Sequence, residues 1–368
     1  MSPTPADGDT FLPFGAEGVW EQLPTSPLGA RRGATGAWVD GAFVVVGGQG
    51  DTPCSPFADC MSPTEPALRD GARFDPDTGR WESIAEAPVP VYSGNTAVIG
   101  SDLYLFTGDV TGASDSTDFL RYSSDTNAWT ELQVPEWASH SSLVAAGEVL
   151  MAIPASDEYG ETIDGYFDPS DTSWHTLPQH PLGQGFDRHA IWLGEELLLT
   201  SKELVSGSDS IGPSVVRLAT LEPGFDQWTL LPNINVSGEA PILAAGRVVW
   251  PSTTFTRDGL VHKSNGSAFL GGIFTPTTGA WDGLTLPPTS TGLQGYYFLT
   301  VGERALVAAH LLNPVTGLWT ELPASPAAGR DGATVLASQD TILVWGGSDF
   351  PGNFDDGYFL RLAPDHTN

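Results

Sequence analysis

The chain has 368 residues, of which 40% are hydrophobic, with 43 glycines and 30 prolines, a composition typical of a turn-rich globular protein. Its 45 acidic side chains outnumber 15 basic ones and give a formal net charge of −30, which disfavours binding to nucleic acid or to anionic membrane. No apolar run is long enough to span a bilayer as a helix, so membrane insertion is not expected.

The first residues are polar and rich in proline and threonine, "MSPTPADGDT". We interpret residues 1–12 as a flexible linker and residues 13–368 as one domain. The linker lacks the charged and apolar regions of a signal peptide, and it resembles the segment that follows one. We therefore expect that a signal or lipoprotein leader was removed and that the protein is extracellular, periplasmic or on the cell surface.

The two cysteines, Cys54 and Cys60, lie in the loop-like stretch "DTPCSPFADCMSPTEP". A pair this close in sequence can close a small disulfide loop, which suits an oxidising compartment. The alternative is two unpaired surface thiols. A zinc site is not indicated, because no nearby histidine completes a set of four ligands.

One segment of eight residues recurs along the chain with a tryptophan at its end. The copies are "FDPDTGRW", "YSSDTNAW", "FDPSDTSW", "LEPGFDQW", "FTPTTGAW" and "LNPVTGLW", ending at Trp81, Trp129, Trp174, Trp228, Trp281 and Trp319. Hydrophobic hairpins such as "NTAVIGSDLYLFTG" and "SSLVAAGEVLMAI" separate them. A unit of about 40–55 residues with four short strands is typical of a propeller blade, and the tryptophan is expected to fill the space between blades.

The two ends of the chain share the seventh unit. The terminal "YFLRLAPDHTN" stops before its tryptophan, and "VWEQLP" near the start supplies Trp20 without a preceding turn. We predict that residues 19–24 form the outermost strand of the last blade and pair with residues 357–362. This pairing closes the ring and removes exposed strand edges. The predicted fold is an all-β, seven-bladed propeller.

The repeats resemble kelch repeats, the propeller class that includes galactose oxidase and the sialate mutarotases. The characteristic pair of glycines after the second strand is clear in "FVVVGGQG" and "ILVWGGSD", at Gly47–Gly48 and Gly346–Gly347. The chain is also similar to secreted bacterial kelch-type proteins, most of which lack an assigned activity. The resemblance therefore implies a fold and little about function, because propellers host many activities.

In a propeller the loops that enter the innermost strands meet at one mouth of the central channel. Aligning the units on their first hairpin places polar and aromatic residues at equivalent positions there. The residues at the first position are Arg32, Tyr92, Ser139, Phe186, Gly238, Gln294 and Arg330, and those at the next are Gly33, Ser93, His140, Asp187, Glu239, Gly295 and Asp331. Convergent polar groups in a concavity predict a ligand site.

We predict a ligand-binding set of Arg32, Tyr92, Asp187, Arg188, Tyr296, Arg330 and Asp331. The expected ligand is small and polar, carbohydrate-like, with an anionic group facing the arginines. Alternatively, the charges pair with one another and only fill the channel. We expect a monomer with no nucleic-acid partner.

Catalysis at the same mouth is the rival interpretation. His140, Asp187 and Glu239 are the candidates for acid–base chemistry in an isomerase, mutarotase or lyase. One nitrogen and two carboxylates also suit a divalent metal, and no other cofactor is suggested. A third interpretation is a platform for protein interaction.

Overall fold

The computed structural model describes residues 18–53, 65–108, 117–204, 214–237, 240–251, 269–284, 298–307 and 309–363. Cys54, Cys60, Glu239 and Tyr296 lie outside these ranges, so the predicted disulfide and the predicted roles of Glu239 and Tyr296 remain predictions. None of the helical segments in the described ranges has the length and apolarity needed to cross a membrane.

The structure is built almost entirely from short antiparallel strands. In the first half they are β1 Trp20–Gln22, β2 Thr35–Val39, β3 Ala42–Val46, β4 Gly71–Asp75, β5 Arg80–Ile84, β6 Asn95–Ile99, β7 Asp102–Gly108, β8 Thr117–Ser123, β9 Ala128–Leu132, β10 Ser141–Ala146, β11 Val149–Pro154, β12 Gly165–Asp168 and β13 Ser173–Thr176, with a 3-10 helix at Glu136–Ala138. In the second half they are β14 Gly185–Trp192, β15 Leu197–Glu203, β16 Ser214–Leu221, β17 Trp228–Ser237, β18 Ile242–Ala244, β19 Arg247–Trp250, β20 Phe269–Leu270, β21 Gly272–Thr275, β22 Ala280–Gly283, β23 Phe298–Val301, β24 Arg304–Val307, β25 His310–Asn313, β26 Leu318–Glu321, β27 Thr334–Ala337, β28 Thr341–Trp345, β29 Ser348–Asp349, β30 Gly352–Asn353 and β31 Gly357–Arg361.

These strands form seven four-stranded blades, which confirms the predicted seven-bladed propeller. Blades 1 to 4 are β2–β5, β6–β9, β10–β13 and β14–β17; blade 5 is β18, β19, β21 and β22; blade 6 is β23–β26; blade 7 is β27, β28, β31 and β1. The first strand of each blade is innermost. In blade 4 the outer edge also accepts β20 as a parallel neighbour, and β29 and β30 form a small separate hairpin.

Burial along the strands follows from the stacking of blades. Every residue of β3, "AFVVV", and of β28, "TILVW", is buried, because neighbouring blades cover both faces of these second strands. The outermost strand β5 is mostly exposed. Apolar clusters fill the spaces between blades, and the cluster between blades 7 and 1 contains Phe43, Phe74 and Phe359. The core is therefore a ring of inter-blade layers.

The predicted closure of the ring is confirmed. β1 pairs with β31 in an antiparallel register that places Trp20 opposite Leu360 and Gln22 opposite Tyr358. The outermost strand of the last blade thus comes from the start of the chain. Both open edges that an unclosed ring would expose are removed.

The repeated tryptophans have a polar role in addition to packing. Five of them donate an indole hydrogen bond to a main-chain carbonyl in the loop that leaves the preceding blade. The pairs are Trp20 to Pro323, Trp81 to Pro24, Trp129 to Ala85, Trp174 to Gln133 and Trp228 to Pro178, at 2.7–3.1 Å. Each of these tryptophans therefore joins two blades by a hydrogen bond.

Candidate ligand-binding site

The mouth of the channel is bordered by a set of equivalent residues with left-handed backbone, which we call the mouth ring. Its described members are Gly33, Ser93, His140, Asp187 and Gly332, with φ values of +64°, +43°, +64°, +50° and +62°. Main-chain hydrogen bonds connect neighbours: Gly33 N donates to Gly332 O at 2.7 Å, and Ser93 N donates to Gly33 O at 2.9 Å. The turn into the innermost strand thus imposes the same conformation in these blades.

Glycine at the ring is required where a large side chain of the next blade covers it. A Cβ on Gly33 would lie 2.3 Å from Cε2 of Tyr92, and one on Gly332 would lie 3.2 Å from Cβ of Arg32. In blades 2 to 4 the ring instead carries Ser93, His140 and Asp187, although positive φ disfavours residues with a Cβ. Ser93 and His140 are exposed and Asp187 is half-buried.

In blade 7 the structure shifts the alignment predicted from the sequence by one residue. Arg31 and Arg330 make equivalent contacts, because each guanidinium donates to the first carbonyl of its glycine pair, at Gly47 and Gly346. Arg32 also forms an isolated β-bridge with Gln49, just after the glycine pair of blade 1, and Asp331 forms the same bridge with Ser348 in blade 7. Arg32 is therefore equivalent to Asp331, not to Arg330, and the equivalent of Gly33 is Gly332, not Asp331. The sequence contained this signal, since Arg-x-Gly-Ala occurs at Arg31 and again at Arg330.

Arg31 and Arg330 belong to a recurrent ion pair in which the arginine is buried and the aspartate is partly exposed. In each case the partner is the aspartate before the glycine that begins the third strand. Arg31 Nη2 lies 2.9 Å from Asp70 Oδ2, and Arg330 Nη1 lies 2.7 Å from Asp356 Oδ1. Arg330 also stacks its guanidinium 3.9 Å above the ring of Phe354. The hydrogen bonds and charge of Arg31 hold the pKa of Asp70 below its usual range.

Blade 3 completes the same pair with an arginine from its neighbour. Arg188, on β14 of blade 4, places Nη2 2.7 Å from Oδ2 of Asp164, which precedes β12 of blade 3. The side chain of Arg188 is 0% exposed and that of Arg330 is 8% exposed. A buried guanidinium held by a carboxylate offers few donors to a ligand. The two arginines therefore hold the fold, and we leave both out of the candidate site.

Asp187 is the centre of a charged cluster at the mouth. Its Oδ1 lies 3.0 Å from His189 Nε2, and its Oδ2 lies 2.5 Å from Lys202 Nζ. The hydrogen bonds from His189 and Lys202 hold the pKa of Asp187 far below its usual range, against the opposing effect of partial burial. Asp187 is therefore an anion at every ordinary pH. Sequence reasoning did not single out Lys202, although it is one of only two lysines.

The other side of the mouth carries Arg32 and Asp331. Arg32 Nη1 lies 2.9 Å from Asp51 Oδ1, and the same nitrogen donates to the main-chain oxygen of Asp51 at 3.0 Å. Asp331 is exposed, whereas Tyr92 and Phe186, at the position before the ring, are half-buried. The described mouth therefore combines paired charges with partly accessible aromatic rings.

Among the residues that the structure describes, no carboxylate contacts His140 as general base catalysis would require. Within the same residues, His189 is the histidine that contacts an acid at the mouth. The proposed metal set needs Glu239, which lies outside the described residues. Within those residues, the cluster with ligand atoms close enough for a metal is Asp168, Asp171 and His175, at the turn between β12 and β13 and at the opposite end of the blade.

A second buried network lies behind the ring and was not predicted. His180 Nε2 lies 3.2 Å from Asp157 Oδ2, and both side chains are buried. Burial and the charge of Arg188 lower the pKa of His180. Although burial opposes it, hydrogen bonds from Thr162 lower the pKa of Asp157. Asp157 also bridges to Gly185 at the start of β14, so this network positions the strand that carries Asp187.

Comparison with known proteins agrees with the repeat pattern. The chain is 25% identical over 295 residues to the Kelch domain-containing protein SSO1033 of Saccharolobus solfataricus, a match that covers 65% of this chain and 40% of that protein. It is 28% identical over 113 residues to Kelch-like protein 25 of Xenopus tropicalis, covering 29% of this chain and 18% of that protein. It is 35% identical over 94 residues to Kelch-like protein 21 of Danio rerio, covering 23% of this chain and 14% of that protein.

These matches span less than half the length of each curated relative. No protein-family model matches the chain. The solved structure of YjhT aligns over 94% of this chain and 98% of its own, with a TM-score of 0.46 and 14% identity. The repeats and the seven blades make the chain a seven-bladed β-propeller, and its repeats are similar to those of kelch proteins.

Proposed function

We propose that this propeller is a binding protein whose channel mouth takes a small, polar, carbohydrate-like ligand. The observation that carries the proposal is the mouth ring. Blades 1 and 7 use glycine at a position with positive φ, whereas three consecutive blades place Ser93, His140 and Asp187 there. Residues with a Cβ in this conformation cost free energy, and such outliers cluster at ligand sites.

The chemistry around the ring supports a ligand with several hydroxyl groups. Serine and histidine offer donors and acceptors, and the carboxylates of Asp187 and Asp331 accept hydrogen bonds. The half-buried rings of Tyr92 and Phe186 supply apolar faces of the kind on which a sugar ring packs.

The sequence predicts a ligand with an anionic group, and the structure supports this part of the prediction less well. Arg188 and Arg330 are occupied by Asp164 and Asp356, and Arg32 is paired with Asp51. The proposal therefore favours neutral sugars over sugar acids. Secretion or cell-surface attachment stays part of the proposal and is supported by the close spacing of Cys54 and Cys60.

A glycan array followed by calorimetry tests the proposal. The wild-type protein should bind at least one neutral sugar, and His140→Gly and Asp187→Asn should each weaken that binding by about 1–3 kcal/mol. His175→Gln, on the exposed outer strand β13, is the matched control and should bind as the wild type does. The proposal fails if no glycan binds, or if His140→Gly binds as tightly as the wild type.

Catalysis is the second candidate, and the contact between His189 and Asp187 favours it. A carboxylate 3.0 Å from Nε2 orients the imidazole and supports proton transfer from its other nitrogen. If the mouth isomerises the sugar it binds, His189→Gln should abolish turnover while binding is retained. Loss of both together would indicate a positioning role.

A further inference from the structure

The end of the propeller opposite the mouth has a groove between blades 3 and 4, which we call the hairpin groove. Its volume is about 560 Å³, within the range of small-molecule sites. It lies where the β10–β11 and β14–β15 hairpins meet the turn between β16 and β17. The groove is lined by Ala146, Glu148, Val149, Trp192, Glu195, Pro223, Gly224 and Phe225.

Aromatic rings form one wall of this groove. Phe225 lies 6.3 Å from Trp192 between ring centroids and 5.2 Å from Tyr166 of the adjacent blade. Tyr166 in turn stacks on His175 at 4.8 Å. Trp192 and Phe225 are only half-buried, so part of their surface stays accessible.

The turn that presents Phe225 differs from its counterparts. In the six other blades the residue two positions before the tryptophan has positive φ; these residues are Gly18, Gly79, Asn127, Thr172, Gly279 and Gly317. In blade 4 the positive values move to Gly224 and Phe225, at +95° and +60°. A bulky aromatic residue in this region is a true outlier, and the rearrangement is what places its ring against Tyr166.

The charge of the groove is of one sign. Glu148 and Glu195 are exposed, and neither carboxylate makes an ion pair or hydrogen bond with a described residue. None of the described residues that line the groove is basic. Two free carboxylates beside aromatic faces attract an organic cation, because the ring faces and the carboxylates both carry negative potential.

We propose that the hairpin groove is a binding site for a small organic cation of the quaternary ammonium type. Trp192 and Phe225 provide the ring surface, and Glu148 and Glu195 provide the charge. The site is independent of the mouth, since the two lie at opposite ends of the blades.

Binding of choline, compared with its neutral isostere 3,3-dimethyl-1-butanol, tests this inference on the full chain. Titration followed by NMR should show choline bound at least about tenfold more tightly than the isostere. Raising the salt concentration should weaken choline binding, because the carboxylates are exposed. Equal affinity for the two probes, or binding of neither, would overturn the proposal.

Variants locate the site. The double variant Glu148→Gln, Glu195→Gln should lose about tenfold or more in choline affinity, and Phe225→Gly should do the same while keeping the backbone that positive φ requires. Glu303→Gln is the matched control, because Glu303 is exposed and follows Gly302 in a hairpin as Glu148 follows Gly147, and it is not among the residues that line the groove. If Phe225→Gly unfolds, the double variant still tests the proposal, because the side chains of Glu148 and Glu195 are exposed and their replacement should not affect folding. His140→Gly should leave choline binding unchanged, so this site and the mouth fail separately.

Discussion

The indole nitrogen of Trp20 donates a hydrogen bond of 2.9 Å to the carbonyl oxygen of Pro323, a residue 303 positions later in the chain. The same bond recurs at four other blade junctions, where both partners lie much closer in sequence. At this junction it joins the first strand of the chain to the sixth blade. The contact therefore contributes to closing the ring.

We expect removal of this closure to destabilise the whole propeller. Deleting residues 1–24 removes β1, exposes the edge of β31 and strips Trp20 from the cluster between blades 6 and 7. The free energy of unfolding should fall by about 3–5 kcal/mol, as for loss of a large core aromatic residue. Urea denaturation measures this, and deletion of residues 1–10 is the control. If the protein that lacks residues 1–24 has the same midpoint of urea denaturation as the wild type, β1 does not have this role.

The buried pair of Arg188 and Asp164 should be sensitive to neutralisation. Asp164→Asn leaves a guanidinium with 0% exposure without its carboxylate, at an expected cost of about 3–5 kcal/mol. Asp340→Asn is the matched control, because Asp340 is 54% exposed in its pair with Arg361 and should contribute less than about 1 kcal/mol. If urea denaturation shows equal effects of the two changes, burial does not determine how much an ion pair contributes to the free energy of unfolding.

Stability should decrease as the pH falls, in two stages. The folded pKa of His180 lies below the ordinary 6.5, so below pH 6.5 the unfolded chain binds a proton that the folded state rejects. The pKa values of Asp70, Asp157 and Asp187 are also lowered, so their contribution is present above about pH 4 and is lost as the pH falls further.

Denaturation at pH 7, 5.5 and 4 measures this dependence. The variant His180→Gln should flatten the change between pH 7 and 5.5 while the loss at lower pH remains. A wild-type protein that gains stability between pH 7 and 5.5 would contradict the direction assigned to His180.

Replacing the ring residues with glycine should relieve backbone strain. His140 has a φ of +64° and is exposed, so His140→Gly removes strain without opening a cavity. We expect the free energy of unfolding to stay the same or rise by up to about 1 kcal/mol. The gain from relieved strain is limited because glycine also increases the entropy of the unfolded chain, which lowers stability. Thermal denaturation tests this. A loss above 1 kcal/mol would show that the imidazole has a structural role.

Cys54 and Cys60 should be oxidised in protein prepared without reductant. The chain-entropy gain for so short a loop is about 2–3 kcal/mol, and the double Cys→Ser variant should still fold. Titration of free thiols in denaturant measures the oxidation state. Two reactive thiols without reductant would contradict both the disulfide and the argument for an oxidising compartment.

The sequence by itself determined the fold. Strand patterns and the repeated turn before each tryptophan depend on local backbone preferences, so they are legible without coordinates. Ring closure followed from the repeat at Trp20 and the truncated repeat at the C-terminus, and the structure confirms it. The alignment at the mouth was also correct for Gly33, Ser93, His140 and Asp187, because each residue enters its innermost strand by the same turn.

Tertiary structure decided which charged groups are available at the mouth. Arg188 is next to Asp187 in sequence, yet its side chain crosses into blade 3 and is buried against Asp164, whereas Asp187 stays at the mouth with Lys202. Ion pairs join residues that are far apart in sequence, and burial depends on what the neighbouring blade presents. Neither the ion-pair partners nor the burial of a charged group can be predicted from the local sequence pattern. Both depend on how neighbouring blades pack, so only the tertiary structure shows the partner of each charge.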